Sequence, residues 1–377
     1  MFRYLLQPLL QLLRFEQAHR LVVLLLRVIG LIPGGRWLLG RCYAVEHPSL
    51  EREVFGVKFR NPIGVAAGID RNGEICKELG AMGFGFVEVG TLTPHGQSGN
   101  PTPRVFRSDD ERSIRHRVGH ANRGLQSAIR HLRHGHPGVV VGCNLACNAS
   151  TPAEEAPKDV LKLFRNLYQY VDYFTVNVSG DDVQNEQLTH SEAYIRALLE
   201  PLFDFRRGQN QYRPILLKIS PDLTDEEVDR ITDILIATPL DGIVATNGSF
   251  HDTVHLSAQR KAGRVSGAPV TERSIAIVRR IHERSGGTYP IIGSGGMMGP
   301  EEVQAMLAAG ADLVQLCTGL IYQGPKLLTR ICESLLPQPE EAQPEEVHPE
   351  ESQAQEPTAE TYPSENQSQT STEEAAS

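Results

Sequence analysis

Cysteine is scarce and scattered. The six residues, Cys42, Cys76, Cys143, Cys147, Cys317 and Cys332, contain no C-x-x-C pair, which argues against a disulfide framework and against a zinc ribbon. Cys143 and Cys147 would need further ligands at suitable spacing to hold a metal, so no metal site is expected. With no secretory leader in view, a reduced, cytoplasmic chain is the expectation. No apolar run reaches the ~20 residues of a membrane-spanning helix. Positive charge is not in excess either, with 37 Lys and Arg against 46 Asp and Glu, and no basic stripe of the kind nucleic-acid binding needs is present. Much of the net charge of −9 lies in 337–377, a segment of Glu, Gln, Ser, Thr and Pro nearly free of large apolar residues. Such a segment cannot offset the entropy of its own ordering, and it reads as a disordered acidic tail.

What remains is ordinary for a globular protein, 40% hydrophobic and 22% charged over 377 residues. That length suits one large α/β barrel or two ordinary domains. The first forty residues are rich in Leu and Val but interrupted by Arg3, Arg14, Glu16, His19, Arg20, Arg27 and Arg36. Pro8 and the Pro33-Gly34-Gly35 break predict two short helices with broad apolar faces and a basic side. Two readings fit that pattern, helices lying in a membrane interface and a cap packed on the main domain.

From Val54 onward short β-branched runs alternate with longer amphipathic stretches, the pattern of repeated βα units. The runs are NPIGVAAG from Asn61, GFVEVGTLT from Gly85, VVVGCNL from Val139, YFTVNVS from Tyr173, PILLKIS from Pro214, GIVATN from Gly242, PIIGSGG from Pro290 and LVQLCTG from Leu313. Eight units predict an α/β fold, a closed (β/α)8 TIM barrel with an N-terminal helical cap and a disordered C-terminal tail. The boundaries read as 1–45 for the helices, 46–336 for the barrel and 337–377 for the tail. VFGVKFRN before the first run reads as a hairpin covering the barrel floor, and TDEEVDRITDILIA from Thr224 and GPEEVQAMLAAG from Gly299 read as intervening helices.

In such a barrel the reactive centre lies where the strands end. Those ends are polar or glycine: Gly68 and Arg71, Thr91, Asn144, Asn177 to Ser179, Lys218, Thr246 and Asn247, Gly295-Gly296, and Thr318-Gly319. Glycines after strands seven and eight suit a phosphate, because backbone N–H groups can approach its oxygens. A lysine closing the apolar run PILLK is costly to bury without an anionic partner. It either snorkels to the surface or sits as a cation beside the N1/O2 edge of a flavin, stabilising the reduced ring.

FRNPIGVAAGIDRNGE, GAMGFGFVEVGTLTPHGQSGNPTPRVFR, LLKISPDLTDEE, DGIVATN, YPIIGSGG and GADLVQLCTGLIYQGP together resemble the class 2, quinone-dependent dihydroorotate dehydrogenases. The EQAH stretch at Glu16 to His19 resembles the helix pair that forms the quinone entrance there. The resemblance implies FMN in the barrel mouth, dihydroorotate oxidised to orotate in pyrimidine biosynthesis, and electrons passed to a membrane quinone. It also implies a peripheral location on the cytoplasmic side of the cell membrane. Carried over by position, it implies that Ala67, Gly68, Arg71, Thr91, Asn144, Asn177, Lys218, Thr246, Gly267, Gly296 and Thr318 contact FMN, with Arg71 where the family has Lys. A guanidinium keeps the charge but is larger and reaches differently.

The substrate side departs from that pattern. His116 stands where an orotate-contacting Asn is usual. The family's second Ser after strand four, its catalytic base, is Gly180 here, and an orotate-binding Asn is Asp182. Arg71, His116, Asn177 and Asn247 are the substrate-binding candidates, and Gly248 follows Asn247 in place of a hydroxyl residue. A positioned base contributes 10²–10⁴-fold, so the loss of that serine bears directly on rate. Ser179, drawn into register by the shorter loop, and Asp182 or Asp181 are the candidate substitutes, beside Lys218 as the catalytic cation. A carboxylate there would repel an anionic substrate, and adjacent acids are commonly just a solvated loop. Besides the dehydrogenase reading stand a non-catalytic paralogue that keeps the flavin site and an oxidoreductase retargeted to another substrate.

Overall fold

The computed structural model describes residues 12–179, 190–250 and 263–337. Two helices open it, Phe15–Leu31 and Gly35–Tyr43, bent by 116° at the Pro33-Gly34 break. Pro8 and the tail from 338 onward lie outside the described residues. A hairpin follows, β1 Arg52–Val54 and β2 Val57–Phe59. Next come β3 Ile63–Val65, β4 Phe86–Leu92, β5 His95–Gln97, β6 Val105–Ser108, β7 Ser113–His116, β8 Asn122–Gly124, β9 Val140–Leu145 and β10 Tyr173–Asn177. The last five are β11 Ile215–Ile219, β12 Gly242–Ala245, β13 Arg264–Gly267, β14 Ile291–Ser294 and β15 Leu313–Leu316.

Eight of these strands close a parallel barrel in the order β3, β4, β9, β10, β11, β12, β14, β15, with β15 pairing back to β3. They are the eight runs expected from the sequence, and a helix follows each. The helix Asp225–Ala237 shows how the sequence sets such a boundary. Thr224 Oγ1 accepts from the Glu227 N–H while Glu227 Oε2 accepts from the Thr224 N–H at 2.8 Å, a reciprocal cap of about 1 kcal/mol.

Side chains two apart on a strand share a face, and this places the site. Phe86, Tyr173, Leu216, Val244, Ile292 and Leu313 form one apolar cluster with Val54 and Phe59 of the hairpin, which therefore plugs the barrel floor as expected. Two residues further along, on the same inner face, stand Glu88, Thr175, Lys218, Ser294 and Gln315, with Thr246 just past the end of β12. Every one of these is polar and buried. The barrel interior thus changes from hydrocarbon to hydrogen-bonding groups within one turn of the pleat.

The sequence reading did not anticipate the insertions above this layer. After β4 the chain forms β5 to β8, and β13 pairs with β7, which pairs with β6, in an antiparallel sheet set beside the mouth. Short strands of mixed polarity carry no clean period-2 signal.

The two N-terminal helices do pack on the barrel. Leu39 is in its core, with Val23, Leu26, Ile29 and Tyr43 against it. Arg27 pairs with Glu74 at 3.0 Å, Arg36 with Glu78 at 2.8 Å, and the His19 ring bonds the Ile69 carbonyl at 2.8 Å. Their other side leaves Leu24, Val28, Leu31, Trp37 and Leu38 exposed, Trp37 at 70%. No single helix among the described residues is long and apolar enough to cross a membrane.

Candidate active site

One cavity of about 540 Å³ runs from the N-terminal helices into the barrel mouth. Phe15, Ala18, His19, Val22 and Leu26 line its outer, apolar end. Ala67, Gly68, Arg71, Thr91, Asn177, Lys218, Thr246, Gly267, Gly296 and Thr318 line its inner end. Ten of the eleven expected cofactor positions therefore share one wall. The eleventh, Asn144, is fully buried behind it: its Oδ1 accepts from Thr91 Oγ1 at 2.7 Å and its Nδ2 donates to Glu88 Oε1 at 2.8 Å. Asn144 acts on the cavity through Thr91.

Lys218 is 5% exposed and lies on the cavity wall. Among the described residues nothing accepts a hydrogen bond from its ammonium or pairs with it. A buried cation without an anion is costly, which points to a ligand that supplies the negative charge. At the same cavity wall Gly295 and Gly296 turn the chain after β14. Gly296 has φ +77, and a Cβ there would lie 2.1 Å from Thr271 Oγ1, so only glycine lets the backbone close onto this end of the cavity. Gly68 is the converse case, for a Cβ there would meet no atom within 4 Å and would project into open space. Thr318 Oγ1 donates to Ser266 Oγ at 2.9 Å beside the start of the helix Thr318–Gln323. A buried ammonium with no paired anion among the described residues, a glycine turn on the same wall and open space beside Gly68 together fit a flavin with a phosphate tail.

The substrate candidates also meet here. Asn177, Asn247 and His116 line the cavity, and register places His116 opposite Arg264 of β13. Burial first, then the charges of Arg264 and Arg71 and the neighbouring His120, push the His116 imidazole down to about 4. His116 is therefore neutral at physiological pH. Ser179 is not on the wall. It is 3% exposed, its Oγ donates to Asn177 Oδ1 at 2.5 Å, and it accepts from Asn247 Nδ2 at 2.8 Å. Gly180, Asp181 and Asp182 lie outside the described residues. Gly248 has a close neighbour: a Cβ there would sit 2.8 Å from the Val265 carbonyl and 3.2 Å from Arg264 Cβ, so the inserted strand β13 occupies the space a side chain would need.

Glu16 links the helices to this site. Arg104 Nη2 donates to Glu16 Oε1 at 2.8 Å, and Arg71 Nη1 lies 3.9 Å from the same oxygen. Sequence reasoning missed Arg264, Ser266, Ser294 and Gln315, which also line the inner cavity, as does Cys317 at the expected end of the eighth strand run. For Ser294 and Gln315 a signal was present, a polar residue within an otherwise apolar run.

Comparison with known proteins agrees with this architecture. The profile of the family described as dihydroorotate dehydrogenase matches residues 49–338. A dihydroorotate dehydrogenase (quinone) from Christiangramia forsetii is 38% identical over 337 residues, covering 89% of this chain and 99% of the relative. One from Thermosynechococcus vestitus is 42% identical over 311 residues, covering 80% of this chain and 85% of that one. Among solved structures, a DHODH from Eimeria tenella in complex with ferulenol superimposes with a TM-score of 0.77 at 29% identity, covering 85% of this chain and 90% of its own. The ligand-free form of that protein gives 0.77 at 28%, covering 85% and 94%. With a barrel whose mouth fits a flavin and with these relatives over most of its length, the chain belongs to the quinone-dependent branch of the dihydroorotate dehydrogenases, a family of flavin-dependent oxidoreductases.

Proposed function

We propose that the chain binds FMN in the inner cavity and oxidises dihydroorotate, or a closely related cyclic substrate, with a membrane quinone as the electron acceptor. The observation that carries the reading is Lys218: a buried ammonium on the cavity wall, without a protein anion among the described residues, sharing that wall with the Gly295-Gly296 turn. Bound FMN would supply the hydride acceptor and the route for electrons. The chain's own part is orientation and charge. Lys218 would stabilise negative charge at the N1/O2 edge of the ring, and the backbone at Gly267, Gly296 and Thr318 would hold the phosphate. Arg71 would face the substrate carboxylate, with Asn177 and Asn247 as amide partners.

The proton is the open step. Gly180 cannot accept it, and Ser179 has its hydroxyl committed to two amides. Turnover with dihydroorotate is therefore expected to be slow, and the cavity wall favours a second reading, retargeting to another anionic substrate: Arg71 and Arg264 line it together with neutral His116, which stands where the resemblance implies an amide. The apolar outer end of the cavity supports quinone entry, and the exposed leucines and Trp37 support peripheral attachment to the cytoplasmic face of the membrane.

The test is direct. Purified protein should be yellow, release FMN on denaturation, bleach anaerobically with dihydroorotate and recolour with a quinone. Yellow protein bleached only by another reductant would favour retargeting, and colourless protein that takes up no flavin would end the proposal. Attachment is read by flotation with anionic vesicles, which Leu24→Asp with Trp37→Asp should abolish.

A further inference from the structure

Glu88 fixes the hydrogen-bond polarity of the cavity floor. Its carboxylate, fully buried, accepts from Asn144 Nδ2 at 2.8 Å, Gln315 Nε2 at 2.8 Å, Thr175 Oγ1 at 3.0 Å and the Tyr173 hydroxyl at 3.2 Å. A carboxylate of this kind only accepts, so each amide that meets it must present nitrogen. Asn144 therefore turns its oxygen to Thr91, and Gln315 turns its oxygen away from Glu88. Flipping Gln315 would set its Oε1 against the carboxylate, two acceptors facing each other.

That orientation leaves something unfinished. Gln315 is 1% exposed and lines the cavity, yet its Oε1 has no hydrogen-bond partner among the described residues. Buried acceptors are almost always satisfied, and an exception asks for a ligand. We infer that Gln315 Oε1, held in place by Glu88, accepts a hydrogen bond from the bound flavin. Glu88 is then a positioning residue for the cofactor, and Gln315 a cofactor contact at the floor of the site. The donor is an imide N–H or a ribityl hydroxyl of the flavin. Position favours the cofactor over the substrate, because Gln315 is buried and tied to Glu88 on the cavity floor, whereas Asn177 is the half-buried last residue of β10. The inference rests on the flavin reading given above.

Titration of apoprotein with FMN, followed by flavin fluorescence, tests it. Gln315→Met keeps the volume but removes both the stranded acceptor and the amide that donates to Glu88, so its apoprotein should melt below the wild-type temperature. Its FMN dissociation constant should rise at least tenfold, and saturating FMN should raise its melting temperature less than that of the wild type. A purely structural role would lower the melting temperature of the apoprotein and leave the FMN affinity within twofold of wild type. Glu88→Gln frees the Gln315 amide to flip and should weaken FMN in the same direction. In the double variant the two losses should not add. An FMN affinity for Gln315→Met within twofold of wild type overturns the inference, and so does a loss seen only in orotate binding to the holoprotein, which would assign the oxygen to the substrate. If the wild-type apoprotein takes up no FMN, the flavin reading itself fails, an outcome distinct from either.

Discussion

The Ser179 hydroxyl bridges Asn177 Oδ1 at 2.5 Å and Asn247 Nδ2 at 2.8 Å, tying the end of β10 to the segment that follows β12. It makes Ser179 an orienting group: Asn177 must keep its nitrogen free for the cavity. Ser179→Ala should loosen both amides, which would then be held only by the backbone N–H groups of Ser179 and Gly248 at 3.1 and 2.9 Å, and weaken substrate binding, raising KM about fivefold while the maximal rate changes little, since one neutral hydrogen bond is worth about 1 kcal/mol. Anaerobic stopped-flow reduction of the flavin separates binding from chemistry. A maximal rate that drops by roughly a hundredfold or more while KM stays unchanged would make Ser179 the base after all.

Gly180 supplies the complementary prediction. If the slow step with dihydroorotate is the missing proton acceptor, Gly180→Ser should raise the rate of flavin reduction by roughly 10² or more. The readout is the same bleaching experiment, with Gly180→Ala as the control for loop stiffening. Equal rates for both variants would move the defect to His116 and Arg264, whose strands pair directly.

The strand runs were legible because parallel barrel strands are buried on both faces and read as apolar blocks. The glycine turn at 295 and 296 and the isolated Lys218 followed from chemistry that any apolar block makes conspicuous. Glu88 and Gln315 are equally visible, as single polar residues in FVEVG and LVQL, but they lie within strands rather than at their ends; the period-2 face only becomes informative once Phe86 and Leu313 are known to point inward. Asn144 shows the opposite limit. Its place behind Thr91 depends on which way an amide turns, and that is set by Glu88 from another strand. The sheet of β6, β7 and β13 was not legible at all, because the pairing of His116 with Arg264 joins segments far apart in sequence.

Lys218 permits a prediction with two signs. Removing an uncompensated buried charge should stabilise the apoprotein, by roughly 1–3 kcal/mol for Lys218→Met, seen as a higher melting temperature. The same change should weaken FMN at least tenfold and make the midpoint potential of any bound flavin more negative, because the cation favours the reduced ring. A lysine that merely snorkels would show neither effect.

Acid stability should fall in two separable windows. His116 titrates at about 4 in the folded chain against about 6.5 when unfolded, so between those values the unfolded chain binds more protons. Its contribution is present above pH 6.5 and is lost as pH falls towards 4. Glu16 acts lower. Burial pushes its carboxyl up, but the hydrogen bond and charge of Arg104, with Arg71 and Arg20, outweigh that and hold it below the usual glutamate range. Its stabilisation is full above the unfolded value and disappears only as pH drops through the lowered one. Melting temperatures between pH 7 and 3 should therefore lose their upper slope in His116→Asn and their lower slope in Glu16→Gln. Glu16 is the half-buried group that ties the N-terminal helices to Arg104 and Arg71, so the second variant should also loosen the helices at neutral pH. Faster proteolysis within 15–43, with the barrel left intact, is the expected result, and an unchanged cleavage rate would count against that tie.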